Sequence, residues 1–213
     1  MGLVTILNPV DVQECDMTRQ AIVTASRFVL GLAVLVLNTT QMPAQSPEKK
    51  KPQRPSVGDQ APDFELSSID DKTVKLSSLT KQGPVVLVVL RGYPGYQCPI
   101  CTKQVAGLLG NAQKFKDSRT NVVLTYPGPS GELKKHAEEF VSGKSLPDNF
   151  HLLLDPDYRF TTAYELRWAA PGETAYPSTF VIGTDGKVQF AKVSKSHGDR
   201  TSPGEVLKVL EKK

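Results

Sequence analysis

The chain has 213 residues, 39% of them hydrophobic and 23% charged, with a net charge of +4 and a pI near 8.9. That is enough apolar material for a domain-sized core, while the mild charge and an aromatic content of only 7% exclude a stacking platform for nucleic acid. Three cysteines are too few for a disulfide-stapled scaffold, so the fold must stand on its own core.

The N-terminal region does not belong to that core. Residues 28–37, "FVLGLAVLVL", form a ten-residue apolar run, short for a bilayer span, that follows Arg19 and Arg27 and leads to a small-residue exit at Ala44. A basic region, a short apolar stretch and a small-residue exit describe an export signal over residues 1–44. An uncleaved membrane anchor is the alternative. Acids precede the basic region in "MGLVTILNPVDVQECD", and Met17 opens a better signal. Translation from Met17 would leave Cys15 out of the product. Residues 45–55, "QSPEKKKPQRP", are basic, Pro-rich and aperiodic, which reads as an extended tether.

Residues 56–213 carry an α/β pattern. Val74, Leu76 and Leu79 punctuate a short extended segment after the turn signal at residues 70–72. "PVVLVVL" (84–90) is a continuous β-branched run, as expected of a strand buried on both faces. A helix is expected from about Pro99, with Val105, Leu108, Leu109 and Ala112 at helical spacing through "KQVAGLLGNAQKF". A second buried strand follows (121–127), then an amphipathic helix (131–141), a strand (150–155) and a short helix (159–166). Residues 178–194 read as a β-hairpin around Thr184-Asp185-Gly186-Lys187. A last helix runs over 203–213, with Ser202 as N-cap and Pro203 at its first position. The order predicts a central mixed sheet flanked by helices, behind an N-terminal β-hairpin extension.

Chemistry concentrates in "RGYPGYQCPIC", residues 91–101. A strand ends near Arg91 and a helix starts near Pro99, which places Cys98 at a helix N-terminus. Unpaired backbone N–H groups and the macrodipole there favour a thiolate. Pro99 suits the first turn because its missing N–H costs nothing. Two intervening residues let Cys101 reach back over that turn and close a disulfide with Cys98. Zinc would need two further ligands, and His136, His151 and His197 are scattered along the chain. A Cu(I)-binding or purely structural module is the non-enzymatic alternative. Neither a cofactor nor a resident metal is expected. His136 reads as a surface residue of a solvated helix, and His197 has no assigned role. Trp168 and Tyr164 read as core in preference to lining the approach to the cysteines, while Tyr93 and Tyr96 flank the turn and shape access.

Three stretches carry a family likeness. "VGDQAPDFELSSIDDKTVKLSSL", "LRGYPGYQCPIC" and "AYPSTFVIGTDGKV" resemble, in order, segments of the alkyl hydroperoxide reductase/thiol-specific antioxidant (AhpC/TSA) branch of the thioredoxin superfamily. The likeness covers residues 56–213. It implies a thioredoxin fold, a cis peptide at Tyr176-Pro177 beside the cysteines, and a thiol-based antioxidant activity acting on peroxides. Thiol-disulfide exchange with proteins of the cell envelope is the alternative. Implied partners are a hydroperoxide or protein disulfide and an external thiol reductant, with no nucleic acid and with membrane contact only through the N-terminal segment. Export places the protein in the periplasm or cell envelope.

The sequence also departs from the family. Its peroxiredoxins usually read Pro-x-x-x-Thr-x-x-Cys. Here Pro94 is followed by Cys98 at the threonine position and Cys101 at the position of the peroxide-attacking cysteine. By that likeness Cys101 attacks peroxide and Cys98 resolves the sulfenic acid, whereas in disulfide exchange Cys98 attacks first. The arginine that usually precedes the "STF" strand is replaced by Pro177, which leaves Arg91 as its candidate substitute.

Overall fold

The computed structural model describes residues 53–93 and 97–212. The residues read as an export signal and most of those read as a linker therefore lie outside the described residues, as do Pro94, Gly95 and Tyr96 of the cysteine turn. Among the described residues no helix is long and apolar enough to cross a membrane.

The chain enters through a small antiparallel hairpin, β1 (Glu65–Ser67) and β2 (Thr73–Lys75), with Glu65 opposite Lys75. The segment after it is helical, not extended: Leu76 and Leu79 lie in α1 (Leu76–Thr80), and both are buried. Their spacing of three is the helical repeat, which brings both onto one face.

The central sheet has the order β5-β4-β3-β6-β7. Its middle strand, β3 (Val85–Val89), is buried at every position. It runs parallel to β4 (Asn121–Gly128) on one side and antiparallel to β6 (Ser178–Ile182) on the other. β5 (Phe150–Pro156) extends the parallel half, and β7 (Val188–Val193) closes the antiparallel edge. Side chains of a strand alternate between faces, and the two cores follow that alternation. Val86, Val88 and Leu90 point to the face covered by α2 (Pro99–Leu109), α3 (Ala112–Asp117), α4 (Leu133–Val141) and α6 (Pro203–Leu210). Val85, Leu87 and Val89 meet Leu76, Leu79 and Phe160 on the opposite face, where α1 and α5 (Arg159–Ala163) lie.

The long helix expected after the cysteines is interrupted. α2 ends at Gly110, and α3 restarts after Asn111. The final helix has the expected N-cap: Ser202 and Glu205 form a reciprocal capping box.

One backbone position aims the cysteine turn. Gly92, just past β3, has φ of +71°, and a Cβ there would come within 1.9 Å of the Pro127 carbonyl oxygen on the neighbouring strand. No side chain fits without moving backbone. Gly92→Ala is therefore expected to cost about 2 kcal/mol or more and to cost more than Gly143→Ala. Gly143 shares the left-handed φ but has open space around it. Urea denaturation of the two variants checks the order.

Candidate active site

The site lies at the carboxyl end of β3, where chains leave the sheet and ligand sites of open α/β folds gather. Cys98 is the N-cap of α2, with Pro99 at its first position. Its sulfur accepts a hydrogen bond from the Cys101 backbone N–H at 3.3 Å. Cys101 lies one turn in, and its sulfur accepts the backbone N–H of Arg91 at 3.4 Å. Both thiols are free and nearly sealed, with 3% and 1% of their surface exposed.

Two sulfurs this close do not both ionise. A hydrogen bond from the Cys101 thiol, with the helix N–H and the charges of Arg200 and Arg91, outweighs the burial penalty and draws Cys98 down to about 5. Cys101 moves the other way, because it donates that hydrogen bond and is the more deeply desolvated. The N-cap hydrogen bond and the deeper burial of Cys101 both favour the charge on Cys98 and the proton on Cys101. A bound thiolate beside a protonated thiol can attack an electrophilic oxygen or sulfur, then close a disulfide.

The Arg91 guanidinium is bound by the loop before β6. Nε and Nη2 donate to the Glu173 carboxylate at 2.7 and 3.2 Å, and Nη2 also reaches the Gly172 carbonyl. This pair is buried, with side-chain exposures of 6% and 12%. Burial alone would raise Glu173, but the hydrogen bonds and charge of Arg91, assisted by His197, hold its carboxyl below the usual range. Arg91 meets the site through its backbone N–H on the Cys101 sulfur, and its charge adds to the lowering of Cys98.

The guanidinium over the sulfurs belongs to Arg200. Its Nη2 lies 3.5 Å from the Cys101 sulfur and 3.9 Å from that of Cys98, and its Nη1 contacts the Gln104 Oε1. Sequence reasoning missed this residue, which lies 102 positions from Cys98 in a loop without periodicity. A lone basic residue in "SHGDRTSP" gives no signal of its own.

The other candidates separate. Pro177 is buried and directly precedes Ser178, which pairs with Val89, so it lies at the end of β6 beside the strand that carries the turn. Tyr96 lies outside the described residues. Tyr93 stacks on His136 with centroids 3.6 Å apart. His136 is thus half-buried against the turn, contrary to the expected solvated position. Gln97 ties the turn down, donating to the His136 carbonyl and accepting from the Tyr126 hydroxyl. Tyr164 is core, its hydroxyl on the Pro62 carbonyl, whereas Trp168 stacks on Tyr176 beside His197 at the rim. Among the described residues no three His, Cys, Asp or Glu side chains gather as a metal site.

The comparisons give the family and the fold of the chain. Residues 57–191 match the AhpC/TSA family. The peroxiredoxin Bcp of Escherichia coli is 31% identical over 151 residues, covering 66% of this chain and 90% of the relative. The thiol-disulfide oxidoreductase ResA of Bacillus subtilis is 29% identical over 62% of this chain and 65% of its own length. The crystal structure of the peroxidoxin BcpB from Mycobacterium tuberculosis superposes with a TM-score of 0.61 at 26% identity, covering 75% of this chain and 98% of that one.

The split charge has a consequence for stability. Folded Cys98 is ionised from about pH 5 upward, while an unfolded cysteine keeps its proton to about 8.5. The unfolded state binds more protons across that window, so the contribution of Cys98 grows as pH rises from 5 to 8.5 and is lost as pH falls through 5. Cys101 acts in the opposite sense above 8.5, where only the unfolded state releases its proton. In urea denaturation of the reduced protein, the stability difference from Cys98→Ser is expected to widen between pH 5 and 8.5. A pH-independent difference would contradict the split.

Proposed function

The chain belongs to the AhpC/TSA family of thiol oxidoreductases, and on that premise we propose that it reduces hydroperoxides through Cys98 and Cys101, with Cys98 as the first nucleophile. The observation that carries the order is the Cys98 sulfur at the α2 N-cap, accepting the Cys101 backbone N–H, with Cys101 a turn deeper in the helix. This reverses the order expected from the family spacing, in which Cys101 occupies the attacking position.

The Cys98 thiolate attacks one peroxide oxygen. The O–O bond breaks, the second oxygen leaves as alkoxide or hydroxide and takes up a proton, and Cys98 becomes a sulfenic acid. The Cys101 thiol then attacks that sulfur. Its proton joins the departing hydroxide as water, and the Cys98–Cys101 disulfide remains. An external thiol donor supplies two electrons and two protons to restore the pair. Arg200, in reach of both sulfurs, compensates the negative charge as it moves between them. Ile100, one of two exposed large hydrophobics among the described residues, lies between the cysteines. It suits contact with a protein reductant.

A second reading, disulfide exchange, is favoured by the same observation. A low-pKa thiolate followed by a buried thiol is the order that exchange requires, and ResA is a relative. We further propose, from the residue 1–44 pattern, that the protein is exported to the cell envelope.

Peroxide chemistry is tested by mixing the reduced full-length protein and its single-cysteine variants with one equivalent of hydrogen peroxide, with products followed by rapid-quench mass spectrometry. The parent is expected to form the Cys98–Cys101 disulfide rapidly. Cys101→Ser is expected to accumulate sulfenic acid at Cys98, and Cys98→Ser to react at least ~100-fold more slowly. Oxidation of the parent no faster than free cysteine, alongside rapid reduction of a protein disulfide, would select exchange instead.

A further inference from the structure

Glu173 is a buried carboxylate in the loop before β6, tied to neither cysteine. It nonetheless lies at the junction of two arms that reach them. One arm is Arg91, whose guanidinium it binds and whose backbone N–H meets the Cys101 sulfur. The other is His197. Its Nε2 lies 2.9 Å from the Glu173 Oε1, and its carbonyl accepts the Arg200 Nε at 2.7 Å. Arg200 continues from there to both sulfurs.

The loops on either side of this junction are separately fixed. Arg167 donates through Nη1 to the carbonyls of Trp168, Glu173 and Thr174, which shapes the loop carrying Glu173. The loop carrying His197 and Arg200 is fastened on either side of Arg200, where Lys192 pairs with Asp199 and Gln104 donates to the Thr201 carbonyl. Earlier in that loop, His197 joins it to the loop of Glu173, through the Glu173 carboxylate and the Trp168 ring. A guanidinium on a loop has many rotamers, and holding it at one place requires such anchors.

We propose that Glu173 and His197 are positioning residues that seat the Arg200 guanidinium over Cys98 and Cys101. The proposal rests on the reading of those cysteines as the redox pair. It makes a claim about sign that separates positioning from direct electrostatics. A negative charge near a thiolate opposes its ionisation, so Glu173 acting through space would hold the Cys98 midpoint up, and its loss would lower it. Acting through Arg200, Glu173 holds the midpoint down, and its loss raises it.

The test measures the iodoacetamide alkylation rate of Cys98 against pH in the reduced full-length protein, with each cysteine resolved by peptide mass spectrometry. Arg200→Gln is expected to raise the midpoint by about one pH unit. His197→Ala and Glu173→Gln are expected to raise it too, and His197→Ala combined with Arg200→Gln to raise it no further than Arg200→Gln alone. A lower midpoint in Glu173→Gln, an unchanged one in His197→Ala, or full additivity in the double variant would each overturn the proposal. Additivity in particular would mean that His197 acts by its own charge. His197→Ala leaves the buried Arg91–Glu173 pair intact, so it decides the question even if Glu173→Gln does not fold. The titration uses no substrate. Failure of the wild type to react with peroxide would therefore reject the peroxidase reading without touching this result.

Discussion

One negative charge shared unequally by two sulfurs at the start of a helix is the constraint on which the rest of this site depends. Burial of a thiolate is unfavourable unless donors meet it. Here the donors are the Cys101 backbone N–H, the Cys101 thiol and the Arg200 guanidinium. They act on an N-cap sulfur, which the geometry of α2 places beside the orphan N–H groups of the first turn. The second sulfur, a turn deeper and more desolvated, keeps the proton. On the proposed function, attack and resolution then fall to different sulfurs.

The sheet supplies the rigidity this requires. β3 is hydrogen-bonded on both sides and buried on both faces, so its end is fixed, and Arg91 leaves it with its backbone N–H directed at Cys101. Gly92 then lets the chain turn against the Pro127 carbonyl where any side chain would collide. The buried Arg91–Glu173 pair is costly to desolvate and gains only when fully bonded. Its use here is consistent with fixing geometry more than with adding stability. Stabilising the thiolate also stabilises the reduced state, which makes the disulfide easier to reduce and suits a pair that an external thiol must regenerate.

Much of this could be read from the residues alone. Continuous β-branched runs marked β3 and β4, and "CPIC" after such a run marked a cysteine pair at a helix start. Hydrophobic patterning and turn signals marked the order of the remaining elements as well. Local punctuation was read less well. Leu76 and Leu79 were assigned to an extended segment although their spacing is helical, and the helix through Phe115 breaks at Gly110. What the sequence hid was long-range. Arg200, Glu173 and His197 come from two aperiodic loops, and nothing in either loop reveals that they meet. They meet only because β6 and β7 bring those loops to the carboxyl end of β3. The family spacing pointed to Cys101 as the attacking sulfur, whereas capping geometry and burial favour Cys98. That difference could not be read from spacing, since it depends on the N-cap place of one sulfur and the deeper burial of the other.

The most direct test of the account is to treat the reduced full-length protein at pH 6 with one equivalent of iodoacetamide and to map the modified cysteine by peptide mass spectrometry. The split charge predicts carbamidomethylation at Cys98, with Cys101 unmodified. Preferential modification of Cys101 would place the thiolate on the other sulfur and contradict the central claim.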